Sequence, residues 1–312
     1  MIEEIIKLIS QKNIDNNLIK KLENFEQKKL VYTSFDGDFM QFLMDMMEIT
    51  MKRGYIPINP EATLGYYVST TTHEGNKIPV MIDCIKTELM CDEMWIFNPL
   101  NNHIPEGVLA EMMVWKNEKK SDINLITIFD SVELIKEIKF NILHENDINQ
   151  IINKHNKVDI ESIKNKLILS NPENGLSHSY IVANFYNFKH IDWTRFYCYK
   201  NGICPISPHN ILSYYLYRNI YGEKAKENYI IDRITLLNKA DNLLFFTNMN
   251  NLYIEIENLD IYSCMELLYW YKYKDKSKIK IINWSDANVP KYKNSDKWAI
   301  TNTEKKEVIN YV

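Results

Sequence analysis

The sequence predicts an α/β protein with two tandem flavodoxin- or Rossmann-like domains and parallel sheets, plus a helical N-terminal extension and a helical connector. Three observations lead there. The β-rich runs LVYTSF (30–35) and SYIVANF (179–185) read as buried strands. Apolar stripes at helical spacing follow or precede the strands, and strands separated by amphipathic helices imply βαβ units with a sheet covered on both faces. The whole pattern also occurs twice.

Taken in order, residues 1–29 form the helical extension. In the first domain, 30–130, Phe39, Phe42, Leu43, Met46 and Met47 make a stripe after the first strand, and Val108, Leu109, Met112 and Met113 make another before NLITIF. Residues 131–178, with ENDINQIINKHNKVDIESIKNKL, are the helical connector, ending in the turn-rich NPENG. In the second domain, 179–285, Ile261, Cys264, Met265, Leu268 and Tyr269 are the counterparts of the second stripe. A polar tail, 286–312, wraps the surface.

The duplication rests on an ordered series of matches. From Tyr32, 25 residues lead to Pro57 in IPINP, and from Tyr180, 25 lead to Pro205 in CPISP. Both continue as P-x-x-P to Pro60 and Pro208. Asp83 then aligns with Asp232, Asp92 with Asp241, Glu111 with Glu266 and Trp115 with Trp270. The offset drifts from 148 to 149 to 155, so gaps fall only between elements. The expected arrangement is an intramolecular pseudo-dimer, with a homo-oligomer also open, and YYLYRNIY (214–221) and the faces around Trp115 and Trp270 are candidate contact surfaces.

Composition excludes several classes. At 312 residues, 46% hydrophobic and 25% charged with a net charge of −4, the chain is long enough for two ordinary cores and too acidic for a nucleic-acid groove. No stretch approaches about 18 uncharged apolar residues, so no membrane span is expected. The opening MIEEIIKLISQKN lacks the features of a secretory signal, and five cysteines without a C-x-x-C pair fit a cytoplasmic protein. Eight glycines, the closest two ten apart, rule out G-x-G-x-x-G and the P-loop. Seven dispersed histidines suggest no metal site, and no cofactor is expected.

Ligands of open α/β sheets bind beyond the carboxyl ends of the strands. In the first copy Ser34, Asp36 and Gly37 lie in the loop after strand one, Asp83 on the helix before MWIFN, and Gly107 and Glu111 on the helix after it. A lone helical Glu is usually solvated, and Asp36 and Asp38 can simply cap a helix. Asp92 and Asp241 read as turn residues, and Trp115 and Trp270 as core or interface packing. The pairing of Glu111 with Glu266, both among apolar helix positions, invites a functional reading.

The strings RGYIPINPE (53–61), Asp83, DEMWIFN (92–98) and GVLAE (107–111) resemble the nucleoside 2-deoxyribosyltransferase superfamily, which includes nucleoside 5′-monophosphate N-glycosidases. The resemblance covers about residues 30–130 clearly and 179–285 weakly. It implies that Glu111 is the nucleophile at the anomeric carbon and Asp83 supports protonation of the base, with Ser34, Asp36, Gly37, Asn59 and Gly107 around a nucleoside or nucleotide. A second aspartate six residues before the glutamate is common in such enzymes. The first copy has Pro105 there, and the second has Asp260. Glu266, Asp232 and Asp260 are therefore second-copy candidates, although Tyr262 replaces the glycine and the loop Asn184-Phe185-Tyr186-Asn187-Phe188 is bulky. Two other readings stand beside this one: an NAD glycohydrolase using one helix glutamate, and a non-catalytic nucleotide-binding or scaffolding protein.

Overall fold

The computed structural model describes residues 1–12, 14, 16–23, 25–36, 42–64, 77–98, 104–131, 134–154, 177–184 and 188–284. The extension holds α1 (Ile2–Ser10) and α2 (Asn16–Lys21). The first half runs β1 (Leu30–Phe35), α3 (Leu43–Lys52), β2 (Ile56–Ile58), α4 (Pro60–Leu64), α5 (Lys77–Leu89), β3 (Glu93–Phe97), α6 (Glu106–Glu118), β4 (Ile123–Ser131), β5 (Leu134–Leu143) and α7 (Glu145–Lys154). The second runs β6 (His178–Ala183), α8 (Phe188–Lys200), β7 (Cys204–Ile206), α9 (Pro208–Ile211), α10 (Tyr214–Tyr221), α11 (Ala225–Asn238), β8 (Asn242–Thr247), α12 (Leu252–Asn258), α13 (Ile261–Tyr273) and β9 (Ile279–Asn283).

The sheet orders are β2-β1-β3-β4-β5 and β7-β6-β8-β9, parallel throughout except for β5. Their registers coincide. Tyr32 stands opposite Ile58 and Tyr180 opposite Ile206, while Val31 stands opposite Glu93 and Ser179 opposite Asn242. Gly54 and Gly202 occupy the same place in the two halves, just after α3 and α8. Their φ values of 86° and 66° let each helix stop and turn into the short second strand. Among the described residues, no helix is long and apolar enough to cross a membrane.

Asp92 and Asp241 do the same structural job. Asp92 Oδ2 accepts from the amide of Leu30 at 2.8 Å, and Asp241 Oδ2 from that of His178 at 2.8 Å. Each locks the entry of the central strand to the strand beside it. Asp92 also pairs with Lys239 of the other half at 2.9 Å. Asp241→Ala is expected to cost about 1 kcal/mol in urea unfolding, the usual worth of one such hydrogen bond, with no change in any ligand response.

Two sequence expectations are corrected. The connector is helical only in α7 among its described residues. Its opening forms β5, which pairs antiparallel with β4, because Ile138, Phe140 and Ile142 alternate with Lys139 and Asn141 at the period of a strand. Ile261, counted in the apolar stripe, is 40% exposed at the start of α13, while Cys264, Met265 and Tyr269 are buried. The connector beyond Lys154, the tail beyond Trp284, and Gly37, Asp38, Phe185, Tyr186 and Asn187 lie outside the described residues.

The halves pack on one another. α4 meets its own counterpart α9, and α10 lies against α3, with Tyr221 Oη donating to Met51 O at 3.4 Å. Trp115 and Trp270, by contrast, are core side chains, 0% and 1% exposed. The helices of the extension pack on the second half. α1 contacts α12 and α13, and Lys12 Nζ donates to the carbonyls of Ile256, Glu257 and Leu259, where a cation is favoured by the helix dipole.

Candidate active site

β1 carries Tyr32 and Ser34 on one face because successive strand residues alternate sides. α6 crosses that face and presents Glu111 to both. Tyr32 Oη donates to Glu111 Oε1 at 2.7 Å, and Ser34 Oγ donates to Oε2 at 2.5 Å. Glu111 is 5% exposed. Burial pushes its carboxyl up to about 7 against the pull of these two hydrogen bonds, which favour the charged form, and the nearby Glu61 adds to the rise. The carboxylate thus titrates in the neutral range while held in a fixed orientation.

A small cleft at the carboxyl ends of β1 and β3 is lined by Phe35, Asp36, Phe97, Asn98, Pro105 and Val108, and Glu111 is not among its lining residues. This is where ligands of such sheets bind. Val108 lies one turn before Glu111 on α6, so the cleft and the carboxylate share the first two turns of that helix.

The second half repeats the arrangement with larger side chains around it. Tyr180 Oη donates to Glu266 Oε1 at 2.6 Å, as Tyr32 does to Glu111. Val182 stands where Ser34 stands. Three small side chains of the first half, Val80, Cys84 and Gly107, are replaced by Tyr229, Arg233 and Tyr262. Arg233 is 1% exposed and forms an ion pair from Nε to Glu266 Oε1. Its Nη1 donates to Tyr229 Oη at 3.2 Å and its Nη2 to Ser263 Oγ at 3.4 Å. The rings of Tyr229 and Tyr262 stand edge to face at 5.1 Å. Burial alone would lower Arg233, but Glu266, with Tyr229, Tyr180 and Asp260, holds it well above its ordinary value. The guanidinium stays charged, while burial raises Glu266 above its ordinary value against the pull of Arg233 and Tyr180.

The remaining second-copy candidates also serve the fold. Asp260 caps α13: Oδ1 accepts from the amides of Tyr262 at 2.9 Å and Ser263 at 3.0 Å. Burial pushes Asp260 up, but Arg233, His209 and the Ser263 hydrogen bonds outweigh it and hold the carboxyl low. Asp232 accepts from Lys28 at 2.9 Å and from Tyr217 at 2.5 Å, which ties the extension to the second half.

The first-copy candidates divide. Ser34 and Glu111 come together. Asp83, 8% exposed on α5, acts electrostatically on its neighbour Cys84 and on Tyr199 and Cys204 of the second half. The hydrogen bonds of Glu111 go to Tyr32 and Ser34. Asn59 is a structural cap: Nδ2 donates to Thr33 O at 3.2 Å and Oδ1 accepts from the amide of Ala62 at 3.1 Å. A Cβ on Gly107 would meet Met81 Cε at 3.1 Å, a tight contact between α5 and α6. Asp36 lies on the cleft wall, and Gly37 lies outside the described residues.

Sequence reasoning used Tyr32 only as a marker of the repeat, and it passed over Glu61 and Arg233. The signal for Arg233 was present, since MIDCIKTEL and IIDRITLLN align with Cys84 against Arg233. Comparison with family models, with curated proteins and with solved structures finds no match, so the geometry of the two halves carries the functional argument.

Proposed function

We propose that the protein is a cytoplasmic enzyme that cleaves or transfers at the N-glycosidic bond of a nucleoside or nucleotide, with Glu111 as nucleophile. One observation carries the reading. Burial raises both equivalent glutamates, but Glu266 is ion-paired with Arg233, whereas Glu111 has only the hydroxyls of Tyr32 and Ser34 as partners and stands at about 7. The earlier resemblance to the deoxyribosyltransferase superfamily agrees with it.

In the ionised state Glu111 attacks C1′. The C1′–N bond breaks, its electron pair leaves with the base, and the base takes up a proton from solvent, the step that the resemblance assigns Asp83 to support. A glycosyl ester on Glu111 results, which splits one difficult displacement into two easier ones. Water then attacks C1′ to give the free sugar, or a second base attacks to give transfer. Tyr32 and Ser34 hold the two oxygens so that the carboxylate reacts from one orientation. Because attack requires the charged form, turnover rises with pH through about 7.

The test is incubation with a panel of nucleosides, nucleotides and NAD, followed by mass analysis of the released bases. Release of a nucleobase supports this reading. Release of nicotinamide alone replaces it with NAD cleavage, and binding without release replaces it with a non-catalytic nucleotide-binding role.

A further inference from the structure

Among the described residues the two sheets end on four edge strands, β2, β5, β7 and β9. An exposed edge invites another strand, and three of these edges are blunted in the usual ways. β2 and β7 are three residues long, and each carries a proline, Pro57 or Pro205, that cannot donate to a neighbouring strand. β9 has five residues, and Lys276, Lys278 and Lys280 bring like charges to it.

β5 lacks these protections. It runs ten residues without proline, Leu134–Leu143, and no described strand pairs with its outer side. Ile138 and Ile142 are 37% and 57% exposed. They share a strand face with Phe140, whose ring packs edge to face on Trp95 at 5.5 Å and under the Arg53 guanidinium at 3.4 Å. Phe140 and Trp95 belong to the apolar layer that Met46 of α3 forms with the first sheet. That layer runs out to the β5 edge and ends on two uncovered isoleucines.

The charge pattern of the strand selects its partner. In the sequence Glu137 precedes Ile138 and Lys139 follows it. When the strand pairs antiparallel with its own copy about Ile138, position 137 of one chain stands opposite position 139 of the other, and the two-fold axis repeats the match. Glutamate meets lysine twice, Ile138 meets Ile138, and Ile142 meets Leu134. Moving the axis by one residue sets Lys139 against Lys139 or Glu137 against Glu137, and like charges directly opposite are destabilising. The register about Ile138 also keeps the apolar row of both copies on one face of the joined sheet.

We propose that β5 is a homodimer interface, at which the first sheets of two chains join edge to edge into one continuous sheet, antiparallel at the seam and centred on Ile138. Main-chain hydrogen bonds give the adhesion, as in other strand additions, and the Glu137–Lys139 matches fix the register. The contact is isologous, so it closes at two chains. The inference is independent of the chemistry at Glu111.

The test is sedimentation of the full chain over a concentration series, for wild type, Glu137→Lys, Lys139→Glu and an equal mixture of the two variants. Wild type is expected to show a reversible dimer. Each variant alone sets like charges opposite one another at both matches, and is expected to weaken the dimer by about tenfold or more. In the mixture lysine again opposes glutamate at every match, so a mixed dimer is expected, and its formation shows that both variants fold. A monomer at every concentration overturns the proposal. So does a dimer that neither variant weakens, or a loss in both that mixing does not repair. Hydrogen exchange gives a second readout, because the β5 amides are expected to gain protection as the dimer forms. Full protection already present in the monomer would show that another part of the chain covers this edge, and would likewise overturn the proposal.

Discussion

Glu111→Gln is expected to abolish base release, by at least two to four orders of magnitude, while the protein stays folded; losses of this size follow removal of a nucleophile that acts together with oriented partners. The amide keeps the shape and loses the attacking charge. The same substitution has a stability signature of predictable sign. The folded chain holds the Glu111 proton up to about 7, whereas an unperturbed glutamate releases it near 4.5. Stability therefore falls as pH rises from about 4.5 to about 7, and Glu111 contributes no slope outside that window. The shift corresponds to about 3 kcal/mol lost across it. Urea unfolding at a series of pH values is expected to show that the glutamine variant lacks this component and gains relative stability towards neutral pH. A variant that tracks wild type across the window would show that Glu111 is not the proton-holding group described above.

The second large effect lies in the other half. Arg233→Met leaves Glu266 at 0% exposure with its ion-pair partner gone and only Tyr180 as donor. Breaking a buried pair from one side costs about 3–5 kcal/mol, so a large fall in the urea midpoint is expected. Adding Glu266→Gln is expected to recover at least half of that loss, because the stranded charge is then removed, and the coupling appears directly in the double-mutant cycle. Neither substitution is expected to change base release. If Arg233→Met abolished release in a folded protein, the second copy would carry the chemistry.

Much of this was legible in the sequence, and the reasons are physical. The strands announce themselves through β-rich runs, and the duplication through residues whose jobs are fixed by the fold. Asp92 and Asp241 recur because each closes the entry to a central strand, and Tyr32 and Tyr180 because each reaches a helix glutamate. The carboxylate pair Glu111 and Glu266 was legible for the same reason. What distinguishes them was not, because it comes from positions distant in sequence. Ser34 against Val182 lies on a strand, Cys84 against Arg233 on one helix, and Gly107 against Tyr262 on the next. Only the fold brings these three differences to one spot. β5 escaped notice because its alternation sits beside a stronger helical pattern in α7. Asp83 was assigned to base protonation by resemblance, and in the structure it acts electrostatically on Cys84, which also senses Glu111, and on Tyr199 and Cys204.

The claim that Glu111 attacks C1′ is tested most directly by trapping the glycosyl ester. Fluorine at C2′ disfavours the oxocarbenium-like transition states of both steps, so an intermediate formed from a 2′-fluoronucleoside with a good leaving base persists. Intact mass followed by peptide mapping is predicted to show one added fluoro-sugar, on Glu111 and absent from Glu111→Gln. An adduct on Glu266, or base release from the same substrate with no adduct on any residue, would contradict it.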